Sequence, residues 1–264
     1  MGALIDRVDG ARETGGRGVW VDGLGYARTR LLGAAAIPWQ DTAACVAFFG
    51  QVDRLLRSDV QWLPVGDFYH QRVADDGDLR AAMAARSRSG FALRTMLADE
   101  AARSALSELV AALSRQSRAP VLLVLPAMAA WSVEAHALAH GEAIDAQADE
   151  GERAAMYVAD ALRALSQAGV GGLLLSPEGR ADPHGPVLNQ ARHYRWDCVL
   201  ADPPEGWDAH AYDLSVGPDR GQGRRLENLD TPPPEAAFYL QHLPPTAEPE
   251  PVLARLASLR SGGR

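Results

Sequence analysis

Trp62-Leu63-Pro64-Val65-Gly66-Asp67-Phe68-Tyr69-His70 is an apolar run that stops at a small residue and then presents an acid and two hydrogen-bonding aromatic side chains. It reads as the C-terminal end of a buried parallel strand. A glycine there lets the backbone turn tightly. An acid just past a buried strand stands where α/β barrels carry their polar groups.

Working outward, similar short β-rich runs occur at residues 18–24, 60–65, 120–126, 170–176, 196–201, 212–216 and 237–240. Between them lie Ala/Leu/Arg-rich segments with helical periodicity at 42–57, 77–86, 99–117 and 150–168, the last carrying an apolar stripe at Met156, Ala159, Leu162 and Leu165. Helical crossovers imply parallel strands. Seven runs are clear, and 185–188 is a polar candidate for an eighth. The fold class is therefore α/β, a single compact or incomplete (β/α)8 TIM barrel, with a flavodoxin-like sheet of fewer strands as the alternative. The barrel is expected over residues 17–259, after a polar, Gly-rich, flexible N-terminal segment at 1–16 and before a C-terminal tail at 260–264.

Composition narrows the function. A net charge of -8 argues against an electrostatic nucleic-acid binder, which needs a basic face. The chain contains no lysine, which excludes Schiff-base chemistry and a Walker-type phosphate loop. Cys45 and Cys198 lie far apart without CxxC spacing, so neither a disulfide framework nor a cysteine-based zinc site is indicated. No apolar run reaches the roughly 20 residues that a membrane helix needs. These features lead to the expectation of a cytoplasmic protein that binds neither membrane nor nucleic acid.

At the strand ends, Asp67, Glu178 and Asp202 are candidate catalytic acids. Convergence of the three would raise their pKa values by mutual repulsion and suit one of them to acid/base work. Tyr69, His70 and Trp131 are candidate substrate-binding residues from the same mouth, with Trp131 read in a loop after its strand. Arg28 could hold a carboxylate or phosphate through bidentate hydrogen bonds. His136 and His140 share a helix face by spacing, but the HExxH pattern is absent, so they read as a solvated Ala/His helix and no metal ligand is assigned.

Several of these residues carry a family resemblance. Leu24-Gly25-Tyr26-Ala27-Arg28, followed by Leu63-Pro64-Val65-Gly66-Asp67-Phe68 and Val73-Ala74-Asp75, resembles the opening of cobalamin-independent methionine synthase, with its ordered Leu-Gly-Phe-Pro-Arg, Val-Gly-Asp-Phe and Val-Leu-Asp elements. Ala130-Trp131-Ser132 resembles that family's Trp-Ser, and Val216-Gly217-Pro218-Asp219 its late Gly-Val-Val-Asp, which makes Asp219 a further substrate-binding candidate. The resemblance spans most of the chain. It implies a barrel that binds a small anionic or folate-like substrate at its C-terminal mouth, and a folate as candidate methyl donor. The family's His-x-Cys pair and its late Cys are unmatched, and Ser176-Pro177-Glu178 replaces its Asp-Glu-Pro, so the resemblance implies a methyltransferase-like barrel without the usual zinc site. Loss of those ligands also admits a non-catalytic accessory or ligand-binding barrel that pairs with a catalytic protein partner. The related uroporphyrinogen decarboxylases suggest a lyase, in which a mouth Asp and Arg residues would hold a pyrrole carboxylate. That family's Arg-Gln-Ala-Gly-Arg element is missing here.

Overall fold

A computed structural model describes residues 2–33, 35–147, 149–177, 183–205 and 209–261. In chain order the elements are α1 (Ala3–Glu13), β1 (Gly18–Asp22), α2 (Leu24–Leu32), α3 (Thr42–Leu56), β2 (Gln61–Pro64), α4 (Val65–Asp75), α5 (Gly77–Met83), α6 (Phe91–Ala98), α7 (Glu100–Gln116), β3 (Val121–Val124), α8 (Met128–His140), α9 (Glu150–Leu162), β4 (Val170–Leu175), α10 (Gly185–Tyr194), β5 (Asp197–Ala201), β6 (Leu214–Gly217), β7 (Gly223–Leu226), β8 (Phe238–His242) and α11 (Pro249–Arg260).

All eight strands are parallel, in the order β1-β8-β7-β6-β5-β4-β3-β2, and form a nearly closed barrel. The ladder stops between β1 and β2. Side chains bridge that seam: the Val19 amide donates to Asp59 Oδ2 at 2.8 Å and the Val21 amide to Ser58 Oγ at 3.1 Å. One backbone bond joins them, from the Asp59 amide to the Val19 carbonyl at 2.9 Å. The Gln61 amide points to the β3 side, where it meets the Pro120 carbonyl, so the alternating backbone turns Pro64 toward the seam. Proline lacks an N–H, and an unpaired edge is where a strand tolerates it.

Alternation along the strands fills the barrel with Trp20, Val60, Leu122, Leu174, Val199, Val216, Phe238 and Leu240. The Phe238 ring lies 4.3 Å from that of Trp20 and occupies the space over Gly223, where a Cβ would overlap it. No helix connects β6 to β7 or β7 to β8, whose linking residues are all described, and this makes the barrel incomplete.

Three expectations are corrected. The first concerns residues 1–16: α1 forms at 3–13 and closes the barrel floor with buried Leu4 and Val8. Its first-turn amides lack intrahelical partners, and the β5 carboxylate of Asp197 accepts from Leu4 at 2.7 Å and from Ile5 at 3.3 Å. In the second, 185–188 begins helix α10, and the eighth strand is the short, polar β7. In the third, Gly66 makes no turn. It is buried in the first turn of α4, where a Cβ would come 2.7 Å from Pro126 Cγ, so the residue serves close packing.

Helices α4, α5, α6 and α8 build a layer over the β2 and β3 end of the barrel, continuous with the main apolar core. Among the described residues no helix is long and apolar enough to cross a membrane.

Candidate functional site

The mouth is built by strand alternation. Trp20 and Leu240 face the barrel interior, so Asp22 and His242, two residues further on, face inward at the C-terminal ends of β1 and β8. The two residues are register partners. His242 Nδ1 lies 2.9 Å from Asp22 Oδ2. A carboxylate only accepts, so Nδ1 carries a proton, and in the neutral imidazole Nε2 is the nitrogen with the lone pair. The Leu243 amide donates to the Asp22 carbonyl at 2.9 Å and fixes the two strand ends together.

Asp67 stands in the first turn of α4, immediately after β2. Its outer edge is open to solvent, yet the surrounding protein removes enough hydration to push its pKa up. His70 draws it down, the Asp22 charge raises it, and Arg28 draws it down again. Asp67, Asp22, His70 and Arg28 therefore share one electrostatic neighbourhood. His70 Nε2 also lies 3.5 Å from Glu134 Oε2 on α8. Arg28 is exposed on α2 and makes no ion pair among the described residues.

A second cluster gathers on the β5 to β7 side. Asp202 follows β5 with a left-handed φ of 47°, a conformation that Asp tolerates better than most residues, and its amide donates to the Val216 carbonyl at 2.7 Å. Its carboxylate pairs with Arg225 of β7, whose Nε also meets Glu227 Oε1 at 2.5 Å. Burial lowers the Arg225 pKa, but Asp202 and Glu227 outweigh it, so the guanidinium is held firmly charged.

The candidates read from sequence thus separate. Asp67, Arg28 and His70 fall in one electrostatic neighbourhood, whereas Asp202 joins Arg225 and Glu227 and is not among the groups acting on Asp67. Glu178 lies outside the described residues. Asp219 is exposed in the connection between β6 and β7. Tyr69 and Trp131 do not line the mouth. They are 2% and 1% exposed, their rings pack edge to face at 6.0 Å, and Trp131 belongs to α8 and not to a loop. Burial pushes the Tyr69 hydroxyl pKa upward. His136 is buried as well, stacked 4.3 Å from His140, so this helix face is not solvated.

The structure does not fit a zinc centre of the methionine-synthase kind. Cys45 lies in α3 and Cys198 in β5, both packed in the core outside the barrel, and burial pushes each thiol to about 12. Zinc needs the thiolate. Among the described residues no three His, Cys, Asp or Glu side chains are grouped to hold a metal ion.

Asp22 and His242 were missed as a pair because 220 residues separate them. The available signal was alternation: Trp20-x-Asp22 and Leu240-x-His242 each place a polar residue one step above an interior apolar one. The chain finds no match among family models, curated proteins or solved structures. The fold and the mouth geometry define a TIM-barrel-like protein with an Asp–His pair at its strand ends.

Proposed function

We propose that this barrel is an enzyme with methionine-synthase-like ancestry that moves a proton on a small anionic or folate-like substrate at its mouth. One observation carries the reading: the hydrogen bond between His242 Nδ1 and Asp22 Oδ2 at the inward ends of adjacent strands. Asp22 orients the imidazole and stabilises its protonated form, and Nε2 takes the proton. Asp67, biased toward its protonated state, supplies the complementary acid. Arg28, which makes no ion pair among the described residues and acts on Asp67, is the cation assigned to hold a substrate carboxylate, whereas Arg225 is engaged by two acids. The ordered motifs from Leu24 to Asp75 support a methyl-transfer version in which a folate is the donor.

Turnover of methylfolate with homocysteine, with and without added zinc, and of a panel of small carboxylic acids tests the proposal. Asp22→Asn and His242→Gln are each expected to lower kcat/KM by roughly 10²- to 10⁴-fold, the usual contribution of a positioned acid or base. Absence of turnover across the panel would remove the enzymatic reading. Ligand binding that persists in His242→Gln, without wild-type turnover, would instead identify an accessory binding barrel.

A further inference from the structure

Behind the mouth, on the outer face of β8, Gln241 is fully buried and Arg255 of α11 is 7% exposed. Arg255 Nε donates to Gln241 Oε1 at 2.9 Å. Gln241 Nε2 then donates to two carbonyls, that of Leu226 at 3.0 Å and that of His242 at 2.9 Å. The orientation of the amide is unambiguous: a guanidinium only donates, and both carbonyls only accept. The chain of bonds therefore starts on α11 and ends on the backbone of the residue that carries the mouth imidazole.

Its position matters. The β7–β8 ladder ends at the Leu226–Gln241 pair, and the β1–β8 ladder ends at Asp22–His242. Beyond those pairs the regular ladder ends. Gln241 ties the end of β8 to β7, and the Leu243 amide ties it to β1. The peptide following His242 is thus held from both sides, which fixes the origin of the imidazole relative to Asp22. The contact these ties support joins two half-exposed side chains 2.9 Å apart, which have little packing of their own to hold them.

Arg255 is an expensive way to hold a glutamine. Burial lowers its pKa, no carboxylate contacts it among the described residues, and its Nη2 is buried without a partner. An apolar residue on α11 would pack there at less electrostatic cost. What an apolar residue cannot do is fix the carbonyl end of Gln241, and so aim its amide nitrogen at the two strand ends.

We infer that Arg255 and Gln241 form a positioning relay that sets the orientation of His242 against Asp22. This deepens the proposed function and rests on its reading of the Asp22–His242 pair. Supporting shells of this kind hold a reacting group within the narrow geometry that proton transfer needs.

The test uses the full-length protein labelled with 15N-histidine and reads the hydrogen-bonded Nδ1 proton of His242, assigned by its loss in His242→Gln. The wild type is expected to show that signal, and Asp22→Asn to lose it. Gln241→Leu and Arg255→Met are expected to lose it too, while circular dichroism remains that of the folded barrel. Leu259→Ala, which loosens α11 without touching the relay, is expected to keep it. A signal retained in both Gln241→Leu and Arg255→Met overturns the relay and leaves the pair intact. A signal lost equally in Leu259→Ala also overturns it, since general docking of α11 would then suffice. A wild type without the signal, or Asp22→Asn that retains it, overturns the reading of the pair itself.

Discussion

Replacement of Asp197 tests how the barrel floor is sealed. Its Oδ2 accepts from the Leu4 and Ile5 amides, the free donors at the positive end of α1. Alanine at 197 removes the acceptor. Loss of an N-terminal cap costs about 0.5–2 kcal/mol. An upper bound follows from undocking α1 altogether, which would expose the fully buried Leu4 and the nearly buried Val8 at roughly 1.5–3 kcal/mol each. At about 2–4 °C per kcal/mol for a chain of this size, loss of the cap alone in Asp197→Ala should lower Tm by roughly 1–8 °C, and complete undocking of α1 by no more than about 24 °C.

Asparagine separates the acceptor from the charge. Burial raises the Asp197 pKa more than the two amides lower it. A carboxyl with a raised folded pKa binds its proton more tightly when folded, so ionisation costs stability above that pKa and costs nothing below the ordinary value near ~3.9. Asp197→Asn keeps an acceptor oxygen and drops the charge. It should match or exceed the wild type at neutral pH and converge with it in acid. Urea denaturation across pH, with hydrogen exchange at the Leu4 and Ile5 amides, measures both effects. Asn as damaging as Ala at pH 7 would show that charge, not the acceptor, holds α1. No change in either variant would refute the seal.

Asp67→Asn should likewise raise stability at neutral pH, with the gain fading as pH falls toward the ordinary carboxyl range, because burial raises the Asp67 pKa; a lower urea midpoint at pH 7 would contradict the sign. Gly223→Ala forces a Cβ into the Phe238 ring and should cost about 1–3 kcal/mol, recovered in part by Phe238→Leu, as a double-mutant cycle in urea would read. Glu150, 1% exposed at the start of α9, accepts from Ser132, Ser89 and Arg153, the last at 2.8 Å. Glu150→Ala should cost roughly 3–5 kcal/mol, at the lower end because Arg153 is one-fifth exposed. Burial raises the Glu150 pKa, but its hydrogen bonds outweigh that and hold it below the usual value, so its contribution should be lost as pH falls through the folded pKa. An acid limb of the stability curve that is unchanged in Glu150→Gln would oppose this.

The seven strands legible in the sequence are those whose interior faces are apolar, such as Val121–Val124 and Val170–Leu175. Strand β7 escaped because Gly-Arg-Arg-Leu has no hydrophobic alternation: Gly223 yields its space to Phe238 and Arg225 serves the mouth. Helix α4 was hidden by its junction, since β2 passes into it with no intervening loop. Trp131 could not be placed without knowing that α8 begins at Met128 and turns that side chain into the core. The position of Asp67 just past β2 was legible because its signal is local to one strand end. The Asp22–His242 contact depends on closure of the ladder between the first and last strands, which no local pattern carries.

The seam between β1 and β2 bears directly on the mouth, for Asp22 ends one edge of the slit and Asp67 follows the other. In a fully laddered barrel the distance between neighbouring strand ends is dictated by the interstrand pitch of about 4.8 Å. Here the slit is spanned from two residues without a ladder: the Asp59 amide donates to the Val19 carbonyl, and the Asp59 and Ser58 side chains accept from the Val19 and Val21 amides. The spacing of the two acids is therefore governed by two residues that precede β2, outside the seven strand pairings of the sheet.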